Sequence, residues 1–338
     1  MPSDFYQLSP MSPSVVFDCG AGETRVGLSH DATPIVFPTL VGEIRPINGY
    51  IHNYDQLKKI WEWGFERLKV PPEDHPVVLT KPYFPCTKAT NEKMAQIMFE
   101  DFKIPALHLN YPSVLSLYSY GSLTGLILQS GYCESQVYPI YEGHILERAI
   151  SRGLPVAGHY LTEFLQDTLA KGGCRCDYDT ANAIKEKACF LSLDLNTEKV
   201  TKEEFGNKII LGKEKFLIPE ELYHSSIEYN SLHEFIFHTL GRCDPQLRPI
   251  LAKNIVLAGG NTLLRGFSER LGQELRKDMS EYKFMSGCAP RVVSPPNRQN
   301  SAWMGGSILA GLPTFPDMCM TRDEYEEYGP SLVHTKFF

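Results

Sequence analysis

Two features are missing from this 338-residue sequence, and each absence narrows the class of protein. No apolar run approaches the roughly 18 residues that a membrane-spanning helix needs, so we expect no membrane partner. Basic charge is not in excess either, because 33 lysines and arginines are outnumbered by 40 aspartates and glutamates. Proteins that bind nucleic acids usually carry a basic stripe, so we expect no direct contact with DNA or RNA.

Paired cysteine spacing is also missing. The nine cysteines are odd in number and scattered, and the one close pair, Cys174 and Cys176, has no second pair at zinc-finger distance. The N-terminal segment is polar and rich in proline and serine, unlike a secretion signal. We therefore expect free thiols and a cytoplasmic location.

The composition itself is that of a globular protein. Hydrophobic residues make up 43% of the chain and charged residues 22%, which excludes a disordered tail protein. The length suits about two domains. The net charge of −7 favours solubility and says nothing about the fold.

Two segments with the same layout recur along the chain, each an apolar strand, a turn of small residues and a returning strand. The first comprises residues 14–28 and turns at Gly20–Gly22; the second comprises residues 125–139 and turns at Gly131. Glycines let backbone N–H groups approach an anion, and Asp18, at the end of the first strand, is suited to holding a metal ion through water. A plain hairpin whose glycines serve only positive φ angles remains the alternative. The repeat predicts a duplicated α/β fold with a cleft between its halves.

Other elements follow from periodicity and from helix-stopping residues. Apolar residues at helical spacing predict helices over 55–68 and 91–102, with their Met and Phe residues in the core. Residues 195–228 are polar and predict a smaller, exposed region. Further predicted elements are helices at 113–118, 160–170, 181–192, 266–279 and 301–310, and strands at 75–80, 106–110 and 254–258.

From Val15 to its C-terminus the chain resembles actin and the actin-related proteins. The stretches that carry the resemblance are Ile35–Gly42, Glu92–Glu100, Pro139–Gly143, Asn254–Thr262, Ala302–Ala310 and Glu324–Phe338. The resemblance implies the α/β fold that actin shares with Hsp70-type chaperones and sugar kinases: two lobes with mixed five-stranded sheets around a nucleotide cleft. Residues 1–119 and 302–338 would form the first lobe, 120–156 and 228–301 the base of the second, and 157–227 its top.

A deletion separates the chain from the family pattern. In actin a small subdomain with a loop that grips the next filament subunit lies between segments that match Val41-Gly42 and Gly49–Asn53. Here only residues 43–48 connect them. The resemblance therefore implies that subdomain 2 is essentially absent and that actin-like longitudinal contacts are lost or weakened at one end.

The resemblance also assigns the phosphate side of a nucleotide site. In the first turn it places Asp18, as an indirect metal ligand, with Gly20 and Gly22, but Ala21 replaces a hydroxyl residue and Arg25 replaces a lysine. Arginine keeps the charge and changes the geometry.

The second turn departs further from the family pattern. It keeps Gly131, while Gln129 and Tyr132 replace two acids and Cys133 replaces a glycine. The histidine near the attacking water becomes Gln136, and the glutamine that positions this water becomes Pro112. Because phosphoryl transfer to water depends on positioning, we expect no competent catalytic residue at the degenerate positions Pro112, Gln129 and Gln136.

The adenosine side is mixed. Matching residues are Gly158, Lys185, Glu186, Gly259 and Gly260, whereas Asn182, Leu264 and Gln299 replace an arginine, a tyrosine and a lysine. The resemblance thus implies ATP or ADP with Mg²⁺ or Ca²⁺ as a cofactor, and it leaves a nucleotide-free protein open.

Three functions remain open from the sequence. The first is a structural, capping or oligomer-forming actin-related subunit of the cytoskeleton, a pseudo-ATPase that contacts actin-family subunits or other cytoskeletal proteins, or self-associates into short oligomers. The second is a slow ATPase that binds ATP and polymerises through altered contacts. The third is a subunit of a chromatin-remodelling complex, which would be nuclear; such proteins often carry insertions, whereas this chain carries a deletion.

Overall fold

The structure is a computed structural model that describes residues 12–39, 54–82, 88–150, 153–206, 209–224 and 230–337. The predicted deletion at 43–48 and the segments that flank it lie outside the described residues. The described residues divide into two compact units, one within residues 12–115 together with 302–337, and one within residues 116–301.

The strands of the described residues are β1 Val15–Cys19, β2 Glu23–Leu28, β3 Ile35–Pro38, β4 Val77–Thr80, β5 Ala106–Asn110, β6 Gly125–Ser130, β7 Ser135–Tyr141, β8 His144–Ile145, β9 Glu203–Phe205, β10 Ile209–Leu211, β11 Ile255–Ala258, β12 Val292–Val293 and β13 Met320–Thr321. The α-helices are α1 Tyr54–Leu68, α2 Lys88–Gln96, α3 Pro112–Ser119, α4 Gly158–Lys171, α5 Tyr178–Ala188, α6 Glu214–Leu217, α7 Leu232–Arg242, α8 Arg248–Ala252, α9 Phe267–Asp278, α10 Ser301–Ala310, α11 Phe315–Met318, α12 Arg322–Tyr328 and α13 Val333–Lys336. Among these residues no helix has both the length and the apolar character to cross a membrane.

The first unit is built on a mixed sheet in the order β13-β5-β4-β1-β2-β3. The hairpin partner β2 is antiparallel to β1, whereas β4 is parallel to it. Five strands are predicted and six are found, because the two-residue strand β13 pairs with the edge strand β5. A pairing this short leaves no periodic signal in a sequence.

Aromatic residues fill the core of this unit. Trp61 and Phe65 of α1 project from one helix face and are buried, as their spacing predicts. Phe65 meets the Phe17 ring edge-on at 5.2 Å between centroids. The predicted helix 91–102 divides into α2 and a wider π turn over Ile97–Asp101, and its predicted core residues are buried: Met94, Ile97, Met98 and Phe102.

Small residues of α10 permit close packing, as expected for this helix. A side chain on Gly305 would overlap the backbone carbonyl of Leu115, and one on Gly306 would press on Val16 of β1. The helix can therefore lie this close to Leu115 of α3 and to Val16 of β1 only because these two positions lack a Cβ.

The second unit repeats the plan with the order β12-β11-β6-β7-β8. Again the central strand β6 has an antiparallel hairpin partner, β7, and a parallel neighbour, β11. This repetition confirms the predicted α/β fold with a mixed sheet in each half. Its core includes Leu161 of α4, Phe237 of α7 and Leu271 of α9, all fully buried.

Candidate functional site

The first unit carries its candidate residues on the β1–β2 hairpin. Asp18 and Arg25 face each other in the strand register, and Ala21 and Gly22 lie in the turn. The turn is closed by the Gly20 N–H, which donates to the Glu23 carbonyl at 3.1 Å. That backbone donor is therefore already used within the hairpin.

Burial dominates the electrostatics of Asp18. It raises the pKa of this carboxyl, and the nearby Arg25 charge and a hydrogen bond from Thr80 only partly oppose that shift. The carboxyl has the chemistry of an indirect metal ligand. In the second unit, Gln129 and Tyr132 stand at the two positions that are acidic in the family pattern, so neither supplies a carboxylate there.

Arg25 is held by its own strand. Its Nη2 lies 2.8 Å from Glu23 Oε2, and the arginine side chain is only 11% exposed while that of Glu23 is 54% exposed. The Glu23 carboxylate thus pairs with the guanidinium of Arg25, which stands where the family pattern has a phosphate-binding lysine.

The second unit has the matching hairpin, β6–β7, with Gln129 opposite Gln136. The Gln136 side chain is buried and both ends of its amide are engaged: Nε2 donates to Glu134 Oε1 at 2.5 Å, and Oε1 accepts from the Tyr138 hydroxyl. Gln136 and Tyr138 are two residues apart on β7 and so share one strand face, and Glu134 precedes the strand by one residue. That alternation could have revealed these partners in the sequence.

The glycines of the two turns do not adopt positive φ angles. Gly20 and Gly131 both have φ outside the left-handed region, so the alternative that these turns keep glycine for that reason is wrong at both positions. A Cβ at Gly20 would approach the Glu23 carbonyl oxygen to 2.9 Å, whereas one at Gly131 would meet open space. Close approach of the backbone explains the first glycine; nothing in the structure explains the second.

The second turn packs on the start of α4. Gly131 N–H donates to the Glu134 carbonyl at 3.1 Å, and the Gly131 carbonyl accepts from Gly158 N–H at 3.0 Å. The Tyr132 carbonyl accepts from His159 N–H at 2.7 Å, and the two rings stack with centroids 5.1 Å apart. Two donors at a helix start, a position suited to an anion, are thus occupied by the hairpin turn.

Lys185 of α5 has a protein acceptor for each of its three N–H donors. Its Nζ lies 2.9 Å from the Gly158 carbonyl, 2.8 Å from Thr162 Oγ1 and 2.8 Å from Asn182 Oδ1. The side chain is buried, and burial lowers the pKa of this ammonium to about 8. A nucleotide would have to displace one of these contacts to bind the lysine.

Glu186 is exposed and is linked to the same group of residues. Its Oε1 accepts from Asn182 Nδ2 at 2.9 Å, one helical turn earlier on α5. Asn182 therefore bridges Lys185 and Glu186, at the position where the family has an arginine. The sequence showed the substitution but not this bridging, because Lys185 also depends on Thr162 of another helix.

The segment after β11 is the part of the candidate site with unpaired atoms. Gly259 has φ +89° and lies against the Ser130 backbone, while Gly260 faces open space. Asn261 Oδ1 and Gln299 Oε1 are buried without a hydrogen-bond partner among the described residues. An amino group or a water molecule would satisfy these two acceptors.

Pro112 begins α3, where its fixed φ is favourable and its missing N–H costs nothing. It has no polar side-chain atom to orient water. In each unit, taken by itself, backbone N–H groups at the candidate turns already donate to protein carbonyls: Gly20 in the first unit, and Gly158 and His159 in the second. The adenosine side retains two unpaired acceptors that fit a polar ligand.

Two mixed sheets, each with a glycine hairpin and a parallel neighbour, define an α/β protein with a duplicated core. The family model described as Actin matches residues 43–202 and 175–338, which together span most of the sequence. The chain belongs to the actin family.

The chain is also similar to an Actin-like protein of Neurospora crassa. The two are 34% identical over 378 aligned positions, which cover 96% of this chain and 97% of that protein. Because the alignment has more positions than this chain has residues, it must contain gaps in this chain. The chain is an actin-related protein, and this relative contains residues that have no counterpart in it.

Proposed function

We propose that this actin-related protein is a structural, capping or oligomer-forming subunit of a cytoskeletal assembly, with weak or absent ATP hydrolysis. Its family membership supports the assembly role, and the state of its phosphate-side residues supports the loss of hydrolysis. Other actin-family subunits are the proposed partners, with self-association limited to short oligomers. The proposed location is the cytoplasm.

One observation carries the loss of hydrolysis. The residues at the two positions that the family uses around the attacking water are Pro112 and Gln136. Proline offers no hydrogen-bonding side chain, and the buried Gln136 amide is engaged at both ends by Glu134 and Tyr138. Since phosphoryl transfer depends on positioning the nucleophile, neither residue supplies the required orientation.

Nucleotide binding and hydrolysis are separate questions. The unpaired acceptors of Asn261 and Gln299 favour a bound polar ligand, whereas the engaged donors of Lys185 oppose one. We propose that any nucleotide binds more weakly than in a protein that keeps the family pattern. Binding would then act on stability, by favouring the folded form, rather than on turnover.

The experiment is a calorimetric titration of the full chain with ATP and Mg²⁺, followed by sedimentation of the same sample before and after addition of salt. Conventional actin under the same conditions is the control for assembly. We expect weak or undetectable binding and species no larger than short oligomers. Salt-triggered assembly into long filaments, comparable to the control, would contradict the proposal.

A further inference from the structure

Helices α7 and α9 of the second unit bring three metal-ligating side chains together: His233, Glu274 and Asp278. One candidate ligand atom of each lies within 4.8 Å of the other two. Glu274 and Asp278 are one helical turn apart on α9 and so project from the same face. His233 is the second residue of α7. None of these residues belongs to the candidate nucleotide site.

The cluster is enclosed rather than a surface acidic patch. His233 is 7% exposed and Glu274 is 8% exposed, and the Asp278 side chain is 20% exposed. His233 Nε2 lies 2.9 Å from Asp278 Oδ2. Its Nδ1 lies 3.1 Å from the hydroxyl of Ser231, which precedes α7. A ring nitrogen held in this way orients the imidazole for coordination through the other nitrogen.

The charges around the cluster leave room for a cation. Arg270 Nε donates to Glu274 Oε1 at 2.8 Å, and the Arg270 guanidinium is also paired with Glu220. Lys277 Nζ lies 3.5 Å from Glu274 Oε2, but its side chain is 71% exposed. The cluster and its neighbours thus contain three carboxylates and two cations. The carboxylates are those of Glu220, Glu274 and Asp278, and the cations are Arg270 and Lys277. The Oε2 atom of Glu274 is the oxygen left for a metal, once the exposed lysine moves aside.

A second observation lies against the same histidine. The Tyr223 ring stacks on the His233 ring with centroids 6.1 Å apart and an angle of 18° between planes. Tyr223 is 9% exposed, and its hydroxyl has no hydrogen-bond partner among the described residues. A buried polar group without a partner is unfavourable. The residue that stacks on His233 thus has one buried hydroxyl with an unmet hydrogen bond among the described residues.

We propose that His233, Glu274 and Asp278 form a zinc site that joins α7 to α9. One imidazole nitrogen and two carboxylate oxygens suit Zn²⁺, whereas Mg²⁺ and Ca²⁺ prefer oxygen ligands alone. Zinc–ligand bonds near 2.1 Å in tetrahedral geometry place the ligand atoms about 3.4 Å apart, and the candidate atoms of the three residues lie within 4.8 Å of one another. Three protein ligands leave the fourth position to water.

The test is a calorimetric titration of the metal-stripped full chain with zinc chloride. We expect one zinc ion per chain at this site, with affinity at least about tenfold lower in Asp278→Asn and in His233→Gln. The control is Glu281→Gln, which removes the same charge from an exposed acid close to the end of α9 and should bind as the unchanged chain does. Equal affinity in Asp278→Asn and the control would overturn the site.

The chain also has free cysteines that compete for zinc, so the ligand type needs its own measurement. X-ray absorption of the one-to-one zinc complex of the unchanged chain should show nitrogen and oxygen ligands only. Sulfur in the first coordination sphere, or failure of the chain to bind zinc, would refute the proposal. This readout does not depend on whether a variant folds.

Discussion

Replacing the buried Lys185 by methionine should change how stability depends on pH. Burial lowers the pKa of Lys185 in the folded chain to about 8 from its ordinary value of 10.5. While Lys185 is charged in both the folded and the unfolded chain, burial of its ammonium destabilises the folded chain. Above the unfolded pKa the lysine is neutral in both, and this destabilisation disappears. A shift of about 2.5 pH units corresponds to about 3 kcal/mol.

The sign follows from the lowered pKa. The stability that the folded chain gains when Lys185 is neutral is fully present above pH 10.5 and is lost as the pH falls through about 8. The unfolding free energy of the unchanged chain, minus that of Lys185→Met, should therefore rise by about 3 kcal/mol from pH 7 to pH 10.5. The loss of three hydrogen bonds in the variant adds an offset that depends little on pH.

Urea unfolding followed by far-UV circular dichroism measures this difference, because ionisation of other groups affects both proteins equally. Lys187→Met is the control, since Lys187 is an exposed lysine on the same helix. The difference measured for the control provides the reference with which the Lys185→Met difference is compared. A Lys185→Met difference that is flat within about 0.5 kcal/mol, or that falls with pH, would refute the reasoning.

The remaining predictions concern packing, and thermal unfolding measures each of them. Gly305→Ala should cost at least about 3 kcal/mol because its Cβ would overlap a backbone carbonyl, whereas Gly311→Ala, with ordinary contacts only, should change stability by less than about 1 kcal/mol. Gly259→Ala should cost at least about 2 kcal/mol because of its positive φ and a similar overlap, and Gly260→Ala should be tolerated; equal losses in the two would contradict this account. Tyr132→Ala should cost about 1 kcal/mol through loss of its stacking on a histidine, and an unchanged melting temperature would count against that contact.

The spacing of apolar residues along the sequence predicted much of the fold. The helix predicted over 55–68 and the strand over 106–110 coincide with α1 and β5 to within a residue, because burial of one face fixes the spacing of apolar residues. Strands of two residues, such as β13, carry no such pattern. The π turn that interrupts the predicted helix 91–102 was also invisible, because it changes the hydrogen bonding without changing residue types.

The sequence predicted which positions could form the candidate site, but it did not predict the contacts of their side chains. Matching to the family pattern identified Lys185 and Gln136, yet their hydrogen-bond partners decide what they can do. The contact of Lys185 with Thr162 joins residues on different helices, so only the folded chain brings them together. The contacts of Gln136 were within reach of sequence reasoning, since its partners lie two residues away on either side.

The central claim is that this actin-family chain does not hydrolyse ATP at a useful rate. Phosphate release from ATP and Mg²⁺, measured with the full chain in single-turnover amounts, tests it most directly. The account predicts release no faster than in buffer without protein. Release that is stoichiometric with the chain, and that is lost in Asp18→Asn, would contradict it.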